Sequence, residues 1–125
     1  MKLRDIMEAV EADIIVGSDL LNRDVLTAGG CDIISDLLFF GRPGMLLLTG
    51  LTQSTVIKTA QLIDISAVVF VRGKVPEEEA VELARGIGLP LLVSPHSLYD
   101  CCGRLYARGL PGVIPAKGRA SAGRA

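Results

Sequence analysis

Few side chains in this sequence have chemistry to offer, and they are scattered. His96 is the only histidine, and the three cysteines are Cys31, Cys101 and Cys102. A metal site would have to draw on these, but the adjacent pair Cys101-Cys102 lacks the C-x-x-C spacing that lets two thiolates share one ion. Cys101 and Cys102 instead fall on an apolar helical stripe, where cysteine serves as a small hydrophobe. Cys31 follows Gly29-Gly30 at an expected helix start, a position that can make a thiol reactive, so a thiol enzyme or redox sensor using Cys31 is one function class to carry. No second histidine and no nearby lysine would organise it. Asp32 and Asp36, four residues apart, are the carboxylate pair nearest a candidate loop, although helix capping and solvation explain them equally well.

Anion-binding chemistry is the other prospect. Thr49, Arg72, Lys74 and Ser94 each stand at or just after the end of a short apolar run, with Gly29-Gly30 and Gly50 beside comparable runs. If those runs are neighbouring parallel strands, their carboxyl-end loops gather hydroxyl, guanidinium and ammonium donors around one point, the usual place for a ligand in an open α/β sheet. The candidate ligand-binding set is therefore Gly30, Asp32, Thr49, Gly50, Arg72, Lys74 and Ser94. The alternative is that the glycines make turns, Thr49 and Ser94 cap helices, and Arg72 and Lys74 are solvated loop charges. There is no G-x-x-x-x-G-K-[ST] and no G-x-G-x-x-G, and no cofactor is expected.

The elements that must position these residues are legible. Leu3, Ile6, Met7 and Val10 recur at helical spacing, and Ile14-Ile15-Val16 is a short strand stopped by Gly17-Ser18-Asp19. Strand-then-helix units follow, with strands starting near residues 25, 45, 67 and 90. Val25–Ala28 leads through a Gly29-Gly30 turn to a helix capped by Asp32, with Ile33, Ile34, Leu37 and Leu38 on its core face. Met45–Leu48 leads to a helix capped by Ser54 and carrying Val56, Ile57, Ala60 and Ile63. Ala67–Val71 leads to a helix opened by Pro76 and three glutamates, which favour a helix N-terminus. Leu91–Val93 leads to a helix with Ser94 as cap, Pro95 in its first turn, and Leu98, Cys101, Cys102, Leu105 and Tyr106 as buried stripe. Continuous apolar strands joined by helices predict an α/β fold: a small sheet of about five strands, parallel throughout or with a mixed edge, covered by helices.

Composition bounds the function classes. A chain of 125 residues with half its residues apolar and a mean hydropathy of +0.46 can bury a core without metals or disulfides. The apolar excess favours a homodimer, with Phe39, Phe40, Tyr99 and Tyr106 serving either core packing or that contact. Residues 1–110 carry a net charge of −4, which argues against nucleic acid as a partner. No apolar run is long enough to span a membrane, none has the form of a signal peptide, and an odd number of cysteines is a poor disulfide framework, so a cytoplasmic location is expected. Residues 111–125, with Lys117, Arg119 and Arg124 and few apolar side chains, are expected to be a disordered basic tail.

Four segments together resemble a known family over roughly residues 3 to 110. They are Gly30-Cys31-Asp32-Ile33-Ile34-Ser35-Asp36, Leu47-Leu48-Thr49-Gly50-Leu51, the run from Asp64 to Lys74, and Ser94 to Leu110. The resemblance is to the DRTGG domain, found fused to regulatory CBS domains or phosphotransacetylases and also standing alone. The chain departs from the pattern in having no Asp-Arg pair before Thr49-Gly50, and in Leu51 where a second glycine would stand. The resemblance implies a compact, often dimeric accessory domain, regulatory or ligand-sensing and without an assigned reaction, linked to nucleotides through its CBS neighbours. A non-catalytic sensor of a nucleotide or other anionic ligand is the expectation. A protein-protein interaction adaptor with no small-molecule site is the alternative.

Overall fold

Hydrophobic strands too apolar to face water on either side must lie inside a covered sheet, and they do. A computed structural model of the protein describes residues 1–113. In chain order the elements are α1 (Leu3–Ala9), β1 (Asp13–Val16), a 3-10 turn (Ser18–Leu20), β2 (Thr27–Gly30), α2 (Ile34–Phe40), β3 (Met45–Thr49), α3 (Ser54–Ile63), β4 (Ala67–Phe70), α4 (Glu78–Ile87), β5 (Leu91–Val93) and α5 (Leu98–Ala107). The strands form one sheet in the order β1-β5-β4-β3-β2. β2 to β5 are parallel, and β1 closes the far edge antiparallel to β5, with Asp13 opposite Val93. The expected five-stranded α/β sheet is present, in its mixed-edge form.

Alternation along the strands sorts the core into two layers. Leu46, Leu48, Val69 and Leu92 face α1 and α5, where Leu3, Ile6, Cys101 and Leu105 pack. Met45, Leu47, Val68, Phe70 and Leu91 face the other way, toward Leu37 of α2, Val56 and Ile57 of α3, and Ala80 and Ala84 of α4. The three crossover helices share one face because each parallel strand is laid beside its predecessor in the same direction. A sheet wound in one direction has no switch point among β2 to β5, so no crevice opens there by topology alone.

Several expected boundaries move. Gly29 and Gly30 belong to β2 rather than to a turn after it, opposite Leu47 and Leu48. A side chain at Gly30 would come within 2.9 Å of Leu98 Cδ1 and 3.0 Å of Cys102 Sγ, so the bare backbone is what lets α5 lie close on this strand. In α2 only Leu37 is buried. Ile33 precedes the helix and is 57% exposed, and Leu38 is 50% exposed, because the helix covers only the sheet margin. Pro76 and Glu77 precede α4, Glu77 being its N-cap, and Gln53 rather than Ser54 caps α3, with no side-chain bond in either case. α5 starts at Leu98, capped by Ser97, whose Oγ accepts from Asp100 N at 3.1 Å. Tyr106, expected in the buried stripe, is 76% exposed.

The expected disordered tail begins with an ordered contact: Ala28 N donates to Pro111 O at 2.9 Å, and Gly112 bridges Ala28 in parallel. The remainder of that segment lies outside the described residues.

Candidate functional site

Because β2, β3, β4 and β5 are neighbours in that order, the four loops at their carboxyl ends lie side by side. Backbone hydrogen bonds lash them together. Arg72 N donates to His96 O and Gly73 N to Ser94 O, both at 2.8 Å, Glu77 N donates to Thr52 O at 3.0 Å, and Cys31 N donates to Leu48 O at 3.0 Å. Arg72 and Gly73 both take left-handed conformations, φ 57° and 65°. Arg72 is not a residue that adopts this region freely, and its two-residue twist is held by the bonds to the β5 loop.

Of the seven sequence-predicted residues Gly30 lies within β2, and the other six separate into three groups. Arg72 and Lys74 are exposed, and neither forms a salt bridge among the described residues. Asp32 does not cap α2. It reaches across to the β3 loop, where its Oδ1 accepts from Gly50 N at 2.7 Å and from Thr49 Oγ1 at 3.0 Å. The amide that an anion would have used is thus taken by the chain's own carboxylate. Thr49 also accepts from Leu51 N at 3.1 Å and is fully buried. Ser94 is likewise buried, its Oγ donating to Val10 O at 2.7 Å and accepting from His96 N at 3.2 Å. Thr49 and Ser94 therefore brace the loops from beneath and present no hydroxyl to solvent.

What remains at the surface is a carboxylate and a guanidinium either side of Gly50. A side chain placed on Gly50 would stand 3.0 Å from Arg72 Nη2 and 3.6 Å from Asp32 Oδ1. Hence Gly50 is the floor between an acceptor and an exposed cation. Lys74 follows two residues later in the same loop. Such a pairing suits a ligand with hydroxyl groups at one end and negative charge at the other.

Two features escaped sequence reasoning. One is a cluster at the rim: Glu11 Oε1 lies 2.7 Å from His96 Nε2 and 3.4 Å from Arg104 Nη1, joining the end of α1 to the β5 loop and α5. Glu11 sits at φ 51°, and no local pattern signals a contact across 85 residues. The hydrogen bond from His96 and then the charge of Arg104 hold the Glu11 carboxyl below its ordinary 4.5. A depressed carboxylate adds stability above its unfolded value, and that stability is lost as pH falls through the folded value. Acid titration from pH 6 downward should accordingly destabilise the native chain below about pH 4.5, with a shallower fall in Glu11→Gln; equal slopes in the two proteins would show that the cluster contributes nothing.

The second is a pair of clefts of about 350 and 410 Å³ on opposite sides of β2. Gly29, Gly30 and Gly112 line both; Tyr99, Cys102 and Tyr106 wall the α5 side, and Phe40, Met45 and Val113 the α2 side. The signal that could have found them is the Gly29-Gly30 pair, once read as strand rather than turn. The cysteines lie nearby. Burial pushes the Cys101 and Cys102 thiols up, away from thiolate at neutral pH. Cys31 is half-buried, with its thiol donating to Ile33 O at 3.1 Å. Among the described residues no group of three His, Cys, Asp or Glu is placed to hold a metal ion, and no helix is long and apolar enough to cross a membrane.

No protein-family model and no curated protein matches the chain. Among solved structures it is similar to the crystal structure of the CBS and DRTGG domains of the regulatory region of Clostridium perfringens pyrophosphatase, complexed with its activator diadenosine tetraphosphate. The two superpose with a TM-score of 0.67 at 17% identity, over 88% of this chain and 47% of that one. This chain thus spans about half the length of that regulatory region, and what the two share is the fold.

Proposed function

We propose that this chain is a non-catalytic regulatory domain that senses a nucleotide or other anionic small molecule at the loops following β2, β3 and β4, and that it works as a cytoplasmic homodimer. The observation that carries the reading is Arg72. It is locked in a left-handed turn by two backbone bonds, aimed over Gly50, and free of any carboxylate within salt-bridge distance among the described residues. A strained, braced cation at the carboxyl end of a parallel sheet is more than a solvated loop charge needs. Asp32, Gly50 and Lys74 complete the ligand-facing set. Gly30 borders it, while Thr49 and Ser94 hold it in shape. The structurally similar regulatory region, crystallised with an adenine dinucleotide activator, supports the choice of nucleotides as first ligands to try.

Thermal unfolding with adenine nucleotides and acyl phosphates tests this. A ligand at a hundredfold excess over its dissociation constant adds about 2.7 kcal/mol to the native state, a shift of several degrees for a domain of this size. Arg72→Ala should abolish the shift without lowering the unfolding temperature of the free protein. No shift with any of these at millimolar concentration removes the ligand half of the proposal.

A specific observation also favours the adaptor reading. Phe39 is 74% exposed and Tyr99 85%, with Ile33 and Leu38 half-exposed along the same margin. That apolar margin suits a protein partner or a second copy. Sedimentation of the free chain separates them: a dimer that Phe39→Asp dissociates supports self-association, and a monomer at all concentrations leaves the margin for another protein.

A further inference from the structure

We propose that the exposed edge of β2 at Gly30, with the clefts on its two sides, forms a single slot for a flat nitrogen heterocycle of the adenine type. This rests on the ligand-sensing reading and names the base end of the ligand that the strand-end loops would take.

The backbone sets the chemistry. Along β2, Cys31 turns its amide inward to Leu48 O, and by alternation the polar groups of Ala28 and Gly30 point outward. The outward amide of Ala28 is taken by Pro111 O at 2.9 Å. The N–H and C=O of Gly30 have no backbone partner of that kind among the described residues, and Gly30 is exposed. An extended residue offers its own donor and acceptor side by side in one plane. The matching edge on a small molecule is an acceptor next to a donor in a flat ring, as adenine presents.

The walls select for flatness. Tyr99 and Cys102 stand on one side of the edge, Phe40 and Val113 on the other, and Gly112 borders both clefts. Glycine at both Gly29 and Gly30 leaves the strand thin, so the clefts approach each other around it. A ring bonded to Gly30 in the plane of the sheet has apolar surface above and below. Adenine satisfies both Gly30 groups while bringing few further polar atoms against those walls. Asp32 is two residues beyond Gly30, and the Gly50 floor and Arg72 follow it, so a base in the slot directs its sugar and phosphate toward the anion-facing loops.

The test is amide-resolved NMR of the full chain with adenosine, which carries no phosphate. Saturable shifts are expected at Gly29, Gly30 and Gly103, with slowed exchange of the Gly30 amide. Gly103→Leu is the blocking variant. Gly103 lines the α5-side cleft, and a side chain built there meets nothing within 4 Å, so leucine enters the slot without disturbing the helix. It should weaken adenosine at least tenfold with the unfolding temperature maintained. Two results overturn the slot: no saturable shift with adenosine, or a Gly30 amide already protected from exchange in the free chain. Arg72→Ala should leave adenosine binding unchanged. Nucleotide stabilisation that depends on Arg72 without adenosine binding would refute the slot alone, whereas adenosine binding with no gain from phosphate would refute the anion-facing loops alone.

Discussion

Replacing Phe70 with alanine should lower the free energy of unfolding by about 3–5 kcal/mol, the usual range for truncating a buried aromatic. Phe70 is the largest fully buried side chain and lies on β4, the middle strand of the sheet. Its ring packs in the layer formed with α2, α3 and α4, where Val56, Ala80 and Ala84 leave it little room to be replaced by collapse. Domains of this size are stable by about 5–15 kcal/mol, so the substitution removes a large share of the total. Urea unfolding followed by circular dichroism reads it directly; a loss below about 1 kcal/mol would mean that this layer is not packed as described. The change should also reach the candidate site. Phe70 O accepts from Ser94 N at 2.9 Å, and Arg72 follows two residues later, so a slackened β4 end frees the turn that aims the guanidinium.

Ser94→Ala is expected to cost about 1–3 kcal/mol, because it strands partners in the interior and removes little volume. The hydroxyl of this fully buried residue donates to Val10 O and accepts from His96 N, and Cys101 Sγ lies 3.3 Å away. Without it, the carbonyl that ends α1 and the amide that turns the chain toward α5 are left without that partner. The measurement is again urea unfolding, with Cys101→Ala as the companion. If the thiol only fills space beside the hydroxyl, the two losses should add; a shortfall in the double variant would show that they act as one unit. A Ser94 whose role is to touch ligand predicts the opposite pattern, with weakened binding and unchanged stability.

The order of strands and helices could be read from the chain because it rests on local information. Apolar runs such as Met45–Leu48 and Ala67–Val71 end at glycines and charged residues, and helical spacing resumes after each. The parallel arrangement followed from those runs being apolar on both faces. What could not be read was anything decided by a neighbour distant in sequence. Ser94-Pro95 is a sound local helix start, yet Ser94 is drawn inward by Val10 O, and Ser97 caps the helix instead. Asp32 has the right position to cap α2, but the amide of Gly50, brought close by the β2–β3 pairing, claims it. Gly29-Gly30 has turn chemistry, and only the approach of α5 explains why glycine is needed in a strand. The candidate site was legible to the same degree. The loops and their exposed charges were in view, and the division into exposed residues and buried, bracing ones was not.

The antiparallel seam between β1 and β5 also has a consequence for how the molecule comes into being. Asp13 meets Val93, Ser94 closes on Val10 and His96 on Glu11, so each of these contacts waits until some 80 further residues have been made. Until then β1 and Glu11 lack these partners, although α1 can already pack on Leu46, Leu48 and Val69. The intervening β2-to-β4 units join neighbours close in sequence and can assemble in step with synthesis. The seam that fastens α1 and β1 to β5 thus joins segments far apart in sequence, and the rim at His96 takes shape only when it closes.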